Sequence, residues 1–432
     1  MFHEAGLIAI AVVGLAALLC GMVMTWLRQP AIVGYILAGV ILGPSVLGLV
    51  AERDNISLLA DIGVLLLLFL IGMELPLRSF MRVWKTALGC MALQIAGALG
   101  FNMLLSYALG WNPTAALVGG FIMALSSTAV AIKILEDIGE VDSETGRLTI
   151  AVLIAQDLAV VPMMLVVRNL SGEGGIGWIG MTQIAFAVLF LIGFLVVLAK
   201  SGTIRLPLIE RLAGHNDLRA LAALAVCLGA ATISGLIGLS PAYGAFLAGV
   251  LIGNSRESEA MAEATRPIQS ILMMVFFLSI GLLIDLGFIR DNIGAVLLWL
   301  LVVTLFKTVL NIGILRMLGT PWNRAFLAGT VMGQIGEFSF VIAGSAAANE
   351  LVTPEGHRMA VAIIALSLVV SPLWMVMARR LDDAAAIGIT SFREILRALF
   401  TPGETPSMAK VVVAAEEGLQ RRREERDGNG SN

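Results

Sequence analysis

Charged residues are scarce in this chain, and none of the charge is a basic surplus. Asp, Glu, Lys and Arg make up 14% of its 432 residues, and the net charge is −3. An ordinary soluble domain carries about 25% charged residues, so this composition excludes a set of soluble domains with water-facing surfaces. Without a surplus of Lys and Arg, nucleic acid is also excluded as a partner, because binding phosphates needs one.

Cysteine is equally scarce. Cys20, Cys90 and Cys227 lie singly inside apolar runs, with neither metal-ligand spacing nor a disulfide pattern. They are therefore interpreted as small hydrophobic residues, and no covalent cofactor is expected.

Long hydrophobic runs dominate the chain. Hydrophobic residues make up 58% of it, and the mean hydropathy is +0.93. A helix needs about 20 largely apolar residues to cross a bilayer, and this criterion predicts an all-α polytopic membrane protein. The thirteen candidate spans are 5–26, 30–50, 56–75, 84–108, 112–134, 147–170, 177–199, 217–238, 240–253, 267–285, 293–318, 321–348 and 356–379.

Basic residues in the connections indicate the orientation. With the N-terminus outside, fourteen Lys and Arg residues fall in the inner connections and four in the outer ones. Positive charge is retained on the inner side of a membrane. We therefore expect the N-terminus outside and the C-terminus in the cytoplasm of a bacterial-type inner membrane.

The chain contains an internal repeat at a constant offset of 210 residues. Residues 34–43 (GYILAGVILG) and 244–253 (GAFLAGVLIG) are identical at six of ten positions. At the same offset, residues 155–162 (AQDLAVVP) align with 365–372 (ALSLVVSP). Chance similarity between glycine- and leucine-rich helices explains a single match of this kind. It is a poorer explanation of two matches that share one offset, so a repeat is favoured.

The offset matches each span to the span seven places later in the chain. Because seven is odd, two matched spans cross the membrane in opposite directions. Two six-span repeats, 5–170 and 217–379, must therefore be inverted relative to each other, with the linker helix 177–199 between them. The paired fifth and twelfth spans both carry helix-unfavourable runs, 124–129 (ALSSTA) and 333–339 (GQIGEFS). Interruptions at matching places predict discontinuous helices, and the alternative is that both runs are small-residue packing faces.

Three ionisable residues are predicted to lie deep in the membrane. Asp157 is near the middle of the sixth span, Lys307 near the middle of the eleventh, and Glu337 in the interruption of the twelfth. An ionised side chain at the bilayer centre costs roughly 2.5–3.5 kcal/mol on insertion scales, so each is a candidate functional residue.

Asp157 is the candidate ligand of a transported ion. A dry site penalises an unpaired carboxylate, so Asp157 crosses either protonated or holding a cation, and this competition is the minimum that antiport requires. One carboxylate with neutral oxygens from Gln156, Ser126, Ser127 and Thr128 suits a monovalent cation, whereas a divalent ion needs more carboxylates. The alternative is a salt-bridged packing residue.

Lys307 and Glu337 are expected to support this site. In a structural role, Lys307 either neutralises Asp157 or donates to open carbonyls of the broken helices. The alternative is that Lys307 carries the proton itself. Glu337 is expected to brace the second interruption rather than to bind the ion.

Together these segments resemble the monovalent cation:proton antiporter-2 family, in particular the membrane domain of Kef-type potassium efflux systems. The residues that carry the resemblance are 34–43, 63–74, 125–130, 155–158, 246–250, Phe276, Phe277, Gly281 and 336–338. The resemblance covers about residues 5–380. It implies a sodium/proton antiporter-like fold with crossing broken helices, and a homodimer whose mobile core domain makes an elevator movement against a scaffold.

The resemblance also implies an assignment of roles. Asp157 would bind cation or proton, Ser127 and Thr128 would line the site, and Lys307 with Glu337 would be the charged core residues. Gln156 before Asp157 resembles the branch that exchanges K⁺ for H⁺ one for one, while sodium-selective relatives carry Asp or Asn there.

The C-terminal region departs from the Kef pattern. After Arg380 only 52 residues follow, 381–432, and they carry no G-x-G-x-x-G motif after a strand, so no nucleotide-binding domain is expected. The inner connection 254–267 resembles the acidic regulatory loop of the family, although it is equally well interpreted as a solvated loop. Regulation would then fall to a separate cytoplasmic protein.

The sequence predicts a secondary transporter that exchanges K⁺, in preference to Na⁺, for H⁺. A Na⁺/H⁺ antiporter and a gated K⁺ channel or uniporter remain as alternatives. An intramembrane aspartyl protease is disfavoured because it needs a second aspartate beside Asp157, and a purely sensory or scaffolding role would leave Asp157 without a function.

Overall fold

The computed structural model describes residues 4–27, 29–49, 54–74, 77–170, 178–201, 203–205, 210 and 215–386. These residues form sixteen helices that we number in chain order. They are α1 (Glu4–Trp26), α2 (Ala31–Leu42), α3 (Asp54–Glu74), α4 (Leu77–Leu109), α5 (Pro113–Ala124), α6 (Thr128–Asp137), α7 (Glu144–Asn169), α8 (Trp178–Ser201), α9 (Asn216–Leu236), α10 (Pro241–Gly253), α11 (Ser258–Leu283), α12 (Leu286–Asp291), α13 (Ile293–Met317), α14 (Trp322–Val331), α15 (Phe338–Ala348) and α16 (Pro354–Ala386).

The chain divides into two units, one up to Ser371 and one from Pro372. All that follows concerns the first unit. Of the second unit, the described residues are the helical ones from Pro372 to Ala386. The remainder of the predicted tail, 387–432, lies outside the described residues.

Every predicted span contains at least one helix among its described residues. Among the described residues, eight helical segments are long and apolar enough to cross a membrane, and five shorter apolar helices accompany them. The predicted second span, 30–50, differs most, because α2 ends at Leu42. Its end has a local cause, since Gly43 is extended and Pro44 disfavours a helical conformation in the residue before it. The six-residue α12 has no counterpart in the predicted spans.

The offset of 210 residues is reproduced in the helix boundaries. α2 and α10 begin at Ala31 and Pro241, and α6 and α15 begin at Thr128 and Phe338. α7 and α16 begin at 144 and 354. The two halves are therefore structural repeats, and the displacement by seven spans inverts one relative to the other across the membrane.

The helices of the first unit pack in two groups. The first helix group is α1, α2, α3, α9, α10 and α11, in which α3 packs on α10 and α11 and α2 packs on α1 and α11. The second helix group is α4 to α7 with α13 to α15, in which α4 packs on α5, α7 and α13 and α15 packs on α5 and α7. Each group takes corresponding helices from both repeats.

Glycines bring the helices of the first group into backbone contact. Gly39 of α2 faces Gly281 of α11, and a Cβ atom built on either would lie 2.8 Å from the Cα of the other. Gly249 of α10 faces Phe69 of α3, where a Cβ would lie 2.7 Å from the Phe69 carbonyl carbon. Close approach of this kind lets helices associate in lipid, where apolar side chains gain little by contacting each other.

This packing predicts a large effect for one added methyl group. Gly249→Ala would push α10 away from the α3 backbone, and overpacking of a buried contact costs about 1–3 kcal/mol. Thermal unfolding of the purified protein measures the loss. Gly313→Ala in α13 is the control, because its Cβ meets no atom within 4 Å and Ala favours a helix over Gly by about 1 kcal/mol. Equal melting temperatures for the two variants would contradict the assignment.

Candidate ion-binding site

The two interrupted spans cross, and each interruption is hydrogen-bonded to the other. Residues 125–127 separate α5 from α6, and residues 332–337 separate α14 from α15. The Gly336 N–H donates to the Leu125 carbonyl at 3.1 Å. The Gln334 amide donates to the Ser127 carbonyl at 3.1 Å, and the Ser126 hydroxyl donates to the Met332 carbonyl at 2.9 Å. Non-helical backbone at membrane depth is tolerated where it is satisfied in this way inside protein.

Local sequence explains both interruptions. Ser127 is extended, and its hydroxyl accepts from the Val130 N–H at 3.3 Å, so it caps the start of α6. Gly336 is required in the other interruption, because a Cβ there would lie 2.7 Å from the Ser126 carbonyl carbon. The predicted discontinuous helices are present, and the alternative of two uninterrupted packing faces is excluded.

Four helix ends meet at the crossing, and charged side chains complement them. α5 and α14 present C-terminal ends, which carry partial negative charge, while α6 and α15 present positive N-terminal ends. The Lys307 ammonium donates to the Leu125 carbonyl at the end of α5 at 2.5 Å. Glu337 is the N-cap residue of α15, and Asp157 accepts from Thr128, the first residue of α6.

Asp157 is buried, and few protein groups stabilise a negative charge on its carboxylate. Its side chain is 5% exposed, and the Thr128 hydroxyl donates to its carboxylate at 2.9 Å. Lys307 makes no ion pair with it within 4.0 Å, although both residues lie in the part of the chain that the structure describes. Of the two structural roles expected for Lys307, the structure contains the bond to an open carbonyl. A buried carboxylate without a counter-charge is costly unless a proton or a cation joins it.

Gln156 is held at both ends of its amide. Its oxygen accepts from the Ser126 N–H at 2.8 Å, and its nitrogen donates to the Gln94 oxygen at 2.8 Å. The Gln94 nitrogen in turn donates to Asn311 at 2.9 Å, and Asn311 donates to the Met332 carbonyl at 3.1 Å. This chain of amides ties α4, α7 and α13 to both interruptions. The expected role of Gln156 as an ion ligand is thereby limited to the one lone pair that its oxygen retains.

Several polar residues of the crossing were missed by the sequence analysis. Gln94 and Asn311 are 1% and 2% exposed, and their position within apolar spans was the signal that could have identified them. Ser367 occupies the place in the second repeat that Asp157 has in the first. Its hydroxyl accepts from the Ile335 N–H at 3.1 Å. In the second repeat, the residue at this position therefore pairs with a backbone group of the interruption.

The buried charges of the described residues are confined to this crossing. Asp157, Lys307 and Glu337 are the charged side chains among the buried ones in the described ranges. Within those ranges no group of three or more His, Cys, Asp and Glu side chains could hold a metal ion. With Lys307 and both carboxylates ionised, the crossing carries one net negative charge.

Two cavities lie where the helix groups meet, and Leu282 and Leu283 line both. One, of about 510 Å³, is apolar and is lined by Phe276 of the first group and by Met164 and Phe340 of the second, among others. The other, of about 700 Å³, lies beside the end of α2 and the start of α16. Each cavity touches both α11 and α15 near their C-terminal ends.

An ion pair lies at the larger cavity. Asp285 and Arg358 are joined there at 3.2 Å. The Phe288 N–H and the Arg358 guanidinium hold the pKa of Asp285 below its ordinary value. The Asp285 carboxylate therefore stays ionised at neutral pH.

The amide chain predicts a stability difference between two buried asparagines. Asn311→Leu would leave the Gln94 amide nitrogen without its acceptor across helices, and an unsatisfied buried group costs about 1–3 kcal/mol. Asn102→Leu is the matched control, since Asn102 donates to Ala98 within its own helix and, in another helix, to the weak acceptor Met123 Sδ. Thermal unfolding should show the larger loss for Asn311→Leu. A larger loss for Asn102→Leu would mean that the amide chain does not stabilise the crossing.

Comparison with known proteins agrees with this geometry. Residues 14–377 match the family model described as sodium/hydrogen exchanger, transmembrane. The solved structure of the sodium proton antiporter MjNhaP1 from Methanocaldococcus jannaschii has a TM-score of 0.64 at 16% identity, covering 92% of this chain and all of that one. At this identity the likeness shows the fold alone.

Three curated relatives are transporters by name. The iron transporter MagA of Paramagnetospirillum magneticum is 49% identical over 92% of this chain and 91% of that protein. The glutathione-regulated potassium-efflux system protein KefC of Salmonella arizonae is 32% identical over 82% of this chain, which spans 57% of that protein. The putative cation/proton antiporter YbaL of Escherichia coli is 32% identical over 86% of this chain and 68% of that protein. The chain therefore belongs to the sodium/hydrogen exchanger family, as a membrane-embedded protein of the monovalent cation:proton antiporter-2 branch with a Kef-like membrane domain.

Proposed function

We propose that this chain exchanges a monovalent cation for a proton, with Asp157 binding one or the other in turn. The observation that carries the proposal is the state of Asp157, which is buried in the crossing with a hydrogen bond from Thr128 and has no cation of the described residues within ion-pair distance. A carboxylate in that position is stabilised by a proton or by a cation, and binding one excludes the other.

Neutral oxygens around Asp157 support a monovalent ion. Ser126 and Ser127 are buried beside it in the first interruption, and Thr128 contacts it directly. K⁺ is the proposed preferred ion, because Gln156 precedes Asp157 as in the potassium-handling relatives and because KefC carries a potassium-efflux name. Gln156 itself is proposed to position Ser126 more than to contact the ion, since its amide is bonded at both ends.

The charges of the crossing support one-for-one exchange. Lys307 balances one of the two carboxylates, which leaves a single negative charge for a proton or a monovalent cation to neutralise. The loaded crossing then has the same net charge with either ion, and the unloaded crossing, which is charged, is disfavoured in the membrane.

The proposed movement is an elevator displacement of the second helix group against the first. Its support is the division of the helices into two groups, with backbone-tight packing at glycines inside the first. The two cavities on the boundary between the groups also leave space for relative displacement.

The surroundings of the transporter are proposed on the sequence evidence. The basic residues in the connections support an N-terminus outside and a C-terminus in the cytoplasm of a bacterial inner membrane. A homodimer and a separate cytoplasmic regulator are proposed on the resemblance to Kef-type systems. Residues 254–267 are the proposed regulatory segment, although from Ser258 onward they belong to α11 rather than to a loop, and Glu257 pairs with Arg219 at 3.6 Å.

Proton flux in proteoliposomes tests the proposal. K⁺ added to wild type should drive proton movement across the membrane, and Asp157→Asn should abolish it, because the amide keeps the shape of the side chain but cannot exchange a proton. Asp291→Asn, a change at a 64% exposed side chain outside the spans, is the control and should transport like wild type.

The choice of ion separates the outcomes. Flux that follows Na⁺ instead of K⁺ would keep the site and overturn the proposed preference. Flux that follows Fe²⁺, the ion class named for MagA, would overturn the monovalent assignment. K⁺ movement without proton counterflow would replace the exchanger with a channel or uniporter.

The charge count predicts that exchange is electroneutral. The initial rate of K⁺-driven proton movement in wild type should therefore not change when a membrane potential is imposed with either sign. A pH-sensitive dye measures the rate, and a dye sensitive to potential verifies the imposed voltage. A rate that rises with one sign of the potential and falls with the other would show that Lys307 and Glu337 do not balance each other.

A further inference from the structure

Three buried oxygens of the second interruption have no hydrogen-bond partner. They are Thr330 Oγ1, Gln334 Oε1 and Glu337 Oε2, all within eight consecutive residues at the end of α14 and the start of α15. Their side chains are 3%, 1% and 8% exposed. Buried polar atoms nearly always have a hydrogen-bond partner. Three buried oxygens without one, so close in sequence, therefore indicate a bound partner such as a water molecule or an ion.

The orientation of the Gln334 amide is fixed by its other end. Its nitrogen donates to the Ser127 carbonyl at 3.1 Å, and a carbonyl can only accept. Turning the amide over would place two oxygens against each other, so Oε1 is the atom that lacks a partner. Glu337 Oε2 and the Thr330 hydroxyl oxygen add a carboxylate and a neutral oxygen.

Two of the three side chains contact the residue that precedes the Asp157 contact. Thr128 contacts Asp157, while the preceding residue, Ser127, contacts both Gln334 and Glu337. Glu337 and Asp157 are close enough for their charges to interact. The two carboxylates are thus neighbours that contact consecutive residues, Ser127 and Thr128.

We propose that Thr330, Gln334 and Glu337 form a second position for the transported monovalent cation, next to the one at Asp157, and that a single cation occupies one position or the other, so the charge count of the proposed exchange is kept. A carboxylate, an amide oxygen and a hydroxyl are the hard oxygen ligands that alkali cations take. Lys307, the buried cation of the crossing, is bonded to Leu125 instead and leaves these oxygens open. The identity of the ion rests on the proposed function, whereas the existence of the position rests on the unpaired oxygens.

Thr330→Val gives the sharpest test, because it is nearly isosteric and removes a hydroxyl oxygen that has no partner. A purely structural Thr330 would make the variant neutral or slightly more stable. A ligand role predicts an apparent KM for K⁺ that rises about threefold to tenfold at unchanged kcat. Thr265→Val is the matched control, since this buried threonine of α11 is bonded within its own helix to Met261, and its KM should stay at the wild-type value.

Glu337→Gln supplies a second test at the charged ligand. It keeps the shape of the side chain and is expected to raise the KM for K⁺ more than about tenfold. Unchanged KM in both Thr330→Val and Glu337→Gln would overturn the second position and leave water as the partner of these oxygens.

A binding measurement separates this inference from the proposed exchange. In Asp157→Asn protein, which is expected not to transport, added Rb⁺ should still raise the melting temperature, and adding Thr330→Val or Glu337→Gln should remove that rise. Loss of the Rb⁺ effect in Asp157→Asn alone would overturn the second position. Absence of cation-coupled flux in wild type with the Rb⁺ effect intact would instead overturn the exchange mechanism.

Discussion

The structure depends on one constraint, which is that backbone groups released from a helix inside a membrane must find partners in the protein. At the crossing, backbone groups of Leu125, Ser126, Ser127, Met332 and Gly336 do so by bonding the two interruptions to each other and to the amides of Gln156 and Asn311. Because each interruption satisfies the other, neither could exist alone. The duplication of the chain therefore supplies both halves of a structure that one half could not form.

The same constraint explains where the charges lie. A helix that stops in the membrane leaves a partial charge at its end, and Lys307, Glu337 and Asp157 lie at three of the four ends that meet. Two repeats with related backbones nevertheless differ in chemistry. Asp157 corresponds to Ser367 and Ser127 to Glu337, so the second repeat carries its carboxylate at the helix start rather than on the neighbouring span. The second helices of the two interrupted spans start at corresponding residues, Thr128 and Phe338, but the charges at these starts differ.

Much of the architecture could be predicted from the sequence because it follows from local composition and from duplication. The length of the apolar runs predicted the spans. The constant offset predicted that α10, α15 and α16 start 210 residues after α2, α6 and α7. The early end of α2 at Leu42 could have been predicted from Gly43 and Pro44, but hydropathy does not register it. The predicted second span reached the required length because non-helical apolar residues, Val46, Leu47 and Leu49 among them, follow the helix.

The partners inside the crossing could not be predicted, because they depend on distances between helices far apart in the chain. The sequence analysis did not decide which role Lys307 has. It also placed Gln156 with the ion ligands, since nothing local indicates that Gln94, 62 residues away, occupies its amide nitrogen. A set of ion ligands predicted from residues adjacent in sequence therefore omits partners that come from distant helices, such as Gln94.

The mutual bonding of the two interruptions has a thermodynamic consequence. Because the two interruptions are bonded to one another, neither can separate from the other without leaving polar backbone groups unpaired. Under the proposed exchange, the crossing would therefore keep its geometry while the surrounding protein rearranges, and an ion bound there would have the same intrinsic affinity whichever compartment it came from. The proposed carrier would then have no preferred direction of its own and would follow whichever of the two gradients is steeper.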